Sequence, residues 1–160
     1  TTVADIAVRA GVTERTFFRY FADKREVLFD GSAELQRRVL EGVAAAPASL
    51  APVDVAARAF EDAASFLEER RELSRKRAAT IAANPSLQER ELLKFAGLGA
   101  AVADALRARG VAEPAATLAA ETGVTIFRVG FEKWIARSSG TLARCIRETL
   151  DELKTLTAAV

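Results

Sequence analysis

Histidine is missing from all 160 residues. That excludes imidazole acid–base catalysis and imidazole metal sites. Cysteine occurs once, at Cys145, so no internal disulfide framework can form, which suits a reducing cytoplasm. That cysteine stands on an apolar helical face, where a core residue is the ordinary reading and a nucleophile the rare one. Proline is scarce, with four, and no run of alternating β-branched residues suggests a sheet. No stretch reaches the roughly 18–20 apolar residues of a membrane span, and no signal peptide is visible at the start. A glycine-rich phosphate loop is also missing, since Gly97 and Gly99 lie inside a helical pattern. Positive and negative side chains nearly cancel, 23 Lys+Arg against 22 Asp+Glu, so any nucleic-acid binding must be local. These absences argue against an enzyme and point to no metal and no cofactor.

What is present is helix-forming. Hydrophobic residues make up 50% and charged residues 28%, and the abundant Ala, Leu, Arg and Glu all favour helices. The most informative stretch lies at the start. Thr2 and Asp5 have the spacing of a capping box, and Val3, Ile6, Ala7 and Ala10 then recur on one helical face. Gly11 ends that helix, and Thr13 can cap the next. On the second helix Phe17 and Phe21 lie four apart and point into a core, which leaves Arg15, Thr16 and Arg19 on other faces. Asp23 and Glu26 have the spacing of a further capping box. A turn of about three residues sets two helices at a steep crossing, so the second fits a DNA major groove with its N-terminal residues foremost. Arginine can pair with guanine by two bonds, and threonine can bond a phosphate or touch a thymine methyl. Lys24 and Arg25 stand in the first turn of a helix, where cations oppose the dipole. A phosphate would explain them, and so would plain solvation.

This stretch, TVADIAVRAGVTERTFFRYFADKREVL, resembles the DNA-binding signature of the TetR (tetracycline repressor) family of bacterial transcription regulators. The resemblance implies that Thr2 and Thr13 bond phosphates at helix starts. It implies that Arg15, Thr16 and Arg19 face the groove, and that Tyr20 and Lys24 contact the backbone. Two departures stand out. Phe18 occupies a position where the family often has tyrosine, so one phosphate bond is lost. The helix that precedes the motif in the family does not occur in this sequence, and we expect the chain to be a trimmed form of a longer protein.

Further along, the pattern predicts about eight helices and an all-α fold. A third helix is expected from Asp23 to about Val43, on Val27, Leu28, Leu35, Val39 and Leu40. The stretch 44–54 carries two prolines and reads as the loop between a DNA-binding domain, 1–45, and a ligand-binding and dimerisation bundle, 46–160. One helix is then expected from Pro52 to Arg71, followed by the charge run Glu68 to Lys76, whose ordinary reading is a solvated face, and a short helix to Ala83. Ser86 with Glu89 predicts a capped start for the helix that ends near Gly110. Another follows Pro114, and Gly140 separates it from a last helix running from Thr141 to Val160.

The resemblance implies that the last two long helices join those of a second subunit, giving a homodimer that reads a near-palindrome. Gly123 and Gly130, seven apart on one face, and the near-heptad Leu142, Ile146, Leu150 and Leu153 suit that interface. An internal core seam is the competing reading. Phe60, Phe66, Phe95, Phe127, Phe131 and Trp134 come from three helices that surround an effector pocket in such a body, although aromatics at helical spacing are more often plain core. The stretch 70–110 also resembles a TetR subgroup whose ligand is acyl-CoA-like, which would make Arg71, Arg75 and Arg77 candidates for its anionic head group. The expected function is a ligand-responsive repressor of a DNA operator, released by a small-molecule effector. The alternative is a helical ligand-binding or interaction protein without DNA binding.

Overall fold

A computed structural model describes residues 1–159, and among these there are eight α-helices and no strand. The helices are α1 (Val3–Ala10), α2 (Glu14–Tyr20), α3 (Ser32–Ala45), α4 (Pro52–Ala63), α5 (Arg71–Ala82), α6 (Pro85–Ala108), α7 (Ala115–Ala136) and α8 (Leu142–Thr157). Two 3₁₀ segments, Lys24–Phe29 and Ala64–Arg70, complete the order. Val160, expected in the last helix, lies outside the described residues. The chain forms two compact units, one of Thr1–Ala33 and one from Glu34 onward.

The larger unit is built around α7, which packs on α4, α5, α6 and α8. Its inward positions are small or apolar: Ala116, Ala119, Ala120, Gly123, Val124, Ile126, Phe127, Gly130 and Trp134. The two glycines permit close approach. A Cβ at Gly123 would lie 2.8 Å from the Ala56 methyl, and one at Gly130 would lie 3.0 Å from the backbone N and Cα of Ile146. These contacts correct the expectation that Gly123, Gly130, Leu142 and Ile146 face a second subunit. All four are covered by the chain's own α4, α7 and α8, so this seam is internal. Leu150 and Leu153 are half-buried against the same core.

Four further expectations are corrected. The third helix does not run unbroken from Asp23, because the chain winds as a 3₁₀ turn to Phe29 and α3 starts only at Ser32. Asp30-Gly31 is a turn dipeptide that the apolar pattern conceals. The compact units divide before Glu34, and not at the 44–54 loop, because Val39 and Val43 of α3 are fully buried in the bundle core. The helix expected from Pro52 to Arg71 is α-helical only as far as Ala63. The N-cap of α6 is Asn84 and not Ser86, because Pro85 takes the first helical position, where its fixed φ and missing N–H are harmless.

The charge run is structural and not merely solvated. The Glu68 carboxylate accepts the Leu142 and Ala143 N–H groups at 3.1 and 3.2 Å, so a 3₁₀ residue caps a helix more than 70 positions away. Arg75 donates through Nε to the Ile135 carbonyl at 2.7 Å and through Nη2 to that of Arg137 at 3.2 Å, at the C-terminal end of α7. Arg71 donates to the Gly140 carbonyl. These three side chains hold the corner at which α7 turns into α8.

Two substitutions test the packing account by thermal unfolding. Gly97 faces open space, so Gly97→Ala should stabilise the protein by up to about 1 kcal/mol through helix propensity. Gly130→Ala should destabilise it by about 1–3 kcal/mol, because the α8 backbone cannot yield. An equal response at both positions would refute the account.

Candidate functional site

The head forms as its sequence directs. Thr2 accepts the Asp5 N–H at 3.1 Å, and Asp5 accepts the Thr2 N–H at 2.8 Å, so the capping box is complete. Thr2 also donates its hydroxyl to Asp5. These bonds, the backbone N–H of Thr2 first, hold the Asp5 carboxyl below its ordinary value of 3.8. Gly11 takes φ 68°, and the N–H groups of Gly11 and Val12 close on the Val8 and Ala7 carbonyls at 3.1 and 3.0 Å. This left-handed cap ends α1 and needs glycine. Thr13 then caps α2 by accepting the Thr16 N–H at 3.1 Å, and the two hydroxyls are 3.0 Å apart. Phe17 is buried, with its ring 5.3 Å from that of Phe21 and 5.4 Å from that of Phe18.

This anchoring turns the other side of α2 outward. Glu14, Arg15, Phe18, Arg19 and Tyr20 are exposed and Thr16 is half-buried. Tyr20 is 71% exposed, and the Arg19 guanidinium lies 5.5 Å from its ring centre. Arg15 makes no ion pair among the described residues. Asp5 and Asp23 are engaged in helix caps, so Glu14 is the one acid among the exposed residues of α2. Lys24 donates to the Thr1 carbonyl at 2.8 Å, and Arg25 pairs with Asp23 at 3.3 Å. Both cations therefore have an internal reason for their place at a helix start.

In the bundle, five of the six aromatics meet. Ring centres are 5.2 Å apart for Phe60 and Phe127, 6.4 Å for Phe95 and Phe127, 6.0 Å for Phe127 and Phe131, and 5.7 Å for Phe131 and Trp134. Phe66 is not among them and lies between the guanidinium groups of Arg38 and Arg70, at 5.2 and 6.0 Å. The aromatic track ends on Arg71, whose guanidinium sits 5.2 Å from the Trp134 ring and whose buried Nε has no hydrogen-bond partner. Arg77 pairs with Glu91 at 3.2 Å. Sequence reasoning counts Leu118 among the apolar residues of its helix and Leu156 in the seam of the last one, but it passes over Val129 and does not set these outer positions apart from the core. Leu118 is 63% exposed and Val129 38%, and their spacing of eleven places them on one face of α7. On α8, Leu156 is 77% exposed.

Residues 1–30 match the family model described as bacterial regulatory proteins, tetR family. Residues 50–158 match the TetR C-terminal model described as the MftR C-terminal domain. The chain belongs to the TetR family. Comparison with curated proteins returns no match. Membership makes the protein a ligand-responsive, DNA-binding transcriptional regulator, with the helix-turn-helix as its reading head and the α-helical bundle as its ligand-binding domain. Enzymes are not typical of the TetR family, and among the described residues no helix is long and apolar enough to cross a membrane.

The caps of this TetR head give a measurable expectation. Thr13→Ala should cost about 1 kcal/mol of α2 stability, read by amide exchange over residues 14–20. Because the Asp5 pKa is lowered on folding, its contribution is complete above the ordinary value of 3.8 and is lost as pH falls through the lowered one. Asp5→Asn should remove that acid-dependent component from the unfolding curve. An unchanged curve would contradict the role given to the box.

Proposed function

We propose that this protein is a repressor that binds a near-palindromic operator as a homodimer and is released by a small-molecule effector. The observation that carries the reading is the outward face of α2. Arg15 and Arg19 project from a helix whose start is fixed by Thr13 and whose inner side is held by Phe17. Arg15, Thr16 and Arg19 read base edges. Thr2, Thr13, Tyr20 and Lys24 contact phosphates, Lys24 exchanging the Thr1 carbonyl for the stronger charge-assisted partner.

The dimer contact in this reading uses the outer faces of α7 and α8, with Leu118, Val129 and Leu156, since exposed apolar groups on two long helices mark an interaction surface. The effector is an amphipathic anion of acyl-CoA type. Its chain parts the rings of Phe60, Phe95, Phe127, Phe131 and Trp134, and its anionic part meets the open Nε of Arg71. Arg75 stays with the α7 carbonyls. Ligand acts only through its different affinity for the two head arrangements of the dimer.

Titration of the full-length protein against duplex DNA, by fluorescence anisotropy over a salt series, tests the reading. Arg15→Ala should cost about 1–3 kcal/mol on the preferred duplex and relax its preference at one base pair, whereas Lys24→Ala should weaken all duplexes alike and lower the salt slope by about one. Leu118→Glu with Val129→Glu should give a monomer at micromolar concentration. Variants that bind and assemble like the unaltered protein would refute the assignment.

A further inference from the structure

α3 lacks a C-terminal cap of its own. Its last turn carries no basic residue, and no glycine follows Ala45 to close it. The cation it needs comes from α6. Arg109 follows the last residue of α6 as its C-cap, and its own N–H bonds to the Ala105 and Leu106 carbonyls at 3.2 and 3.0 Å. Its side chain reaches across to α3. Nη1 donates to the Val43 carbonyl at 2.9 Å and to that of Ala44 at 3.3 Å, and Nη2 donates to the Pro47 carbonyl at 3.2 Å. One guanidinium thus adds a charged donor at the C-terminal end of the α3 dipole, beside the Ala46 and Leu50 N–H groups that already reach the Val43 and Pro47 carbonyls at 3.4 and 3.3 Å.

A second contact fixes the same stretch. Gly42 of α3 meets Ala59 of α4 so closely that a Cβ would lie 3.0 Å from the Ala59 Cα. At the middle of α3, the Arg38 guanidinium rests 5.2 Å from the Phe66 ring centre. The chain runs from the DNA-reading segment straight into α3, so whatever holds α3 holds the tether of the head. α6 also carries Phe95, Leu98, Val102 and Leu106, which form part of the bundle core beside the aromatic track.

We infer that Arg109 is a latch, a positioning residue that ties the end of α6 to the end of α3 and so preorganises the head for operator binding. The inference rests on the operator-binding reading above, and it assigns to a residue remote from the DNA a share of operator affinity. A loosened α3 must be ordered again on binding, which costs affinity without removing any DNA contact.

The test uses the full-length protein with Arg109→Gln and Arg109→Lys, and with Arg107→Gln as a surface control, since Arg107 pairs with Asp104 and Glu113. Amide exchange over residues 39–46 and operator titration over a salt series are both read. Arg109→Gln should speed exchange in that segment and weaken operator binding about five-fold or more, with the salt slope unchanged because the phosphate contacts are kept. Arg109→Lys, which keeps the charge and one donor direction, should recover part of both effects. Arg107→Gln should change neither. Unaltered exchange in Arg109→Gln would overturn the latch. Faster exchange with unaltered operator affinity would overturn its positioning role. Absence of operator binding by the unsubstituted protein would overturn the functional reading instead, while the exchange result would still decide the latch.

Discussion

Everything in the larger unit depends on how closely α7 lies against its neighbours. At Gly123 and Gly130 the α4 and α8 surfaces come within distances that no side chain would allow. That approach lets Phe60, Trp134, Leu142 and Ile146 be fully buried in one core, where each large apolar side chain is worth about 1.5–3 kcal/mol. It also determines where polar groups must go. With α7 and α8 in contact, their connecting corner leaves helix-end carbonyls and N–H groups to be satisfied. Glu68, Arg71 and Arg75 meet that need from the 3₁₀ segment and α5. The run of charges thus serves the corner between the two helices that the glycine at Gly130 brings together.

Much of this was legible in the sequence, and what was not has physical reasons. The head was legible almost residue by residue, because caps, a left-handed glycine and a paired aromatic anchor are local devices whose geometry follows from a few neighbouring residues. The all-α class and most helix ends were legible for the same reason. The break at Asp30-Gly31 was not, because apolar spacing continues across it and periodicity alone does not register a turn. The roles of Gly123 and Gly130 were read as close approach, which is correct, but the partner was misassigned. A small residue on a helix face announces a neighbour without saying whether it belongs to the same chain. The charge run was misread because its partners, Leu142, Ala143, Ile135 and Gly140, lie more than 55 residues away.

The two ends of the proposed mechanism rest on different physics. Reading of DNA depends on groups held outward by local caps, with Asp5 and Asp23 engaged at helix starts while Arg15 and Arg19 stay exposed. Sensing of a ligand depends on a packed aromatic track ending in the one buried side-chain nitrogen without a partner among the described residues, Nε of Arg71. An unsatisfied buried donor is costly, and an anion that reached it would gain a charge-assisted bond. Between them stands α3, whose C-terminal carbonyls are held by a residue of α6.

The most direct measurement is selection of bound duplexes from a random DNA library by the full-length protein. A near-palindromic consensus, with its most selective base pairs opposite the positions given to Arg15 and Arg19, is the result the account predicts. Only weak, salt-sensitive and sequence-blind binding would contradict it, because the exposed face of α2 would then supply charge to the DNA without reading it.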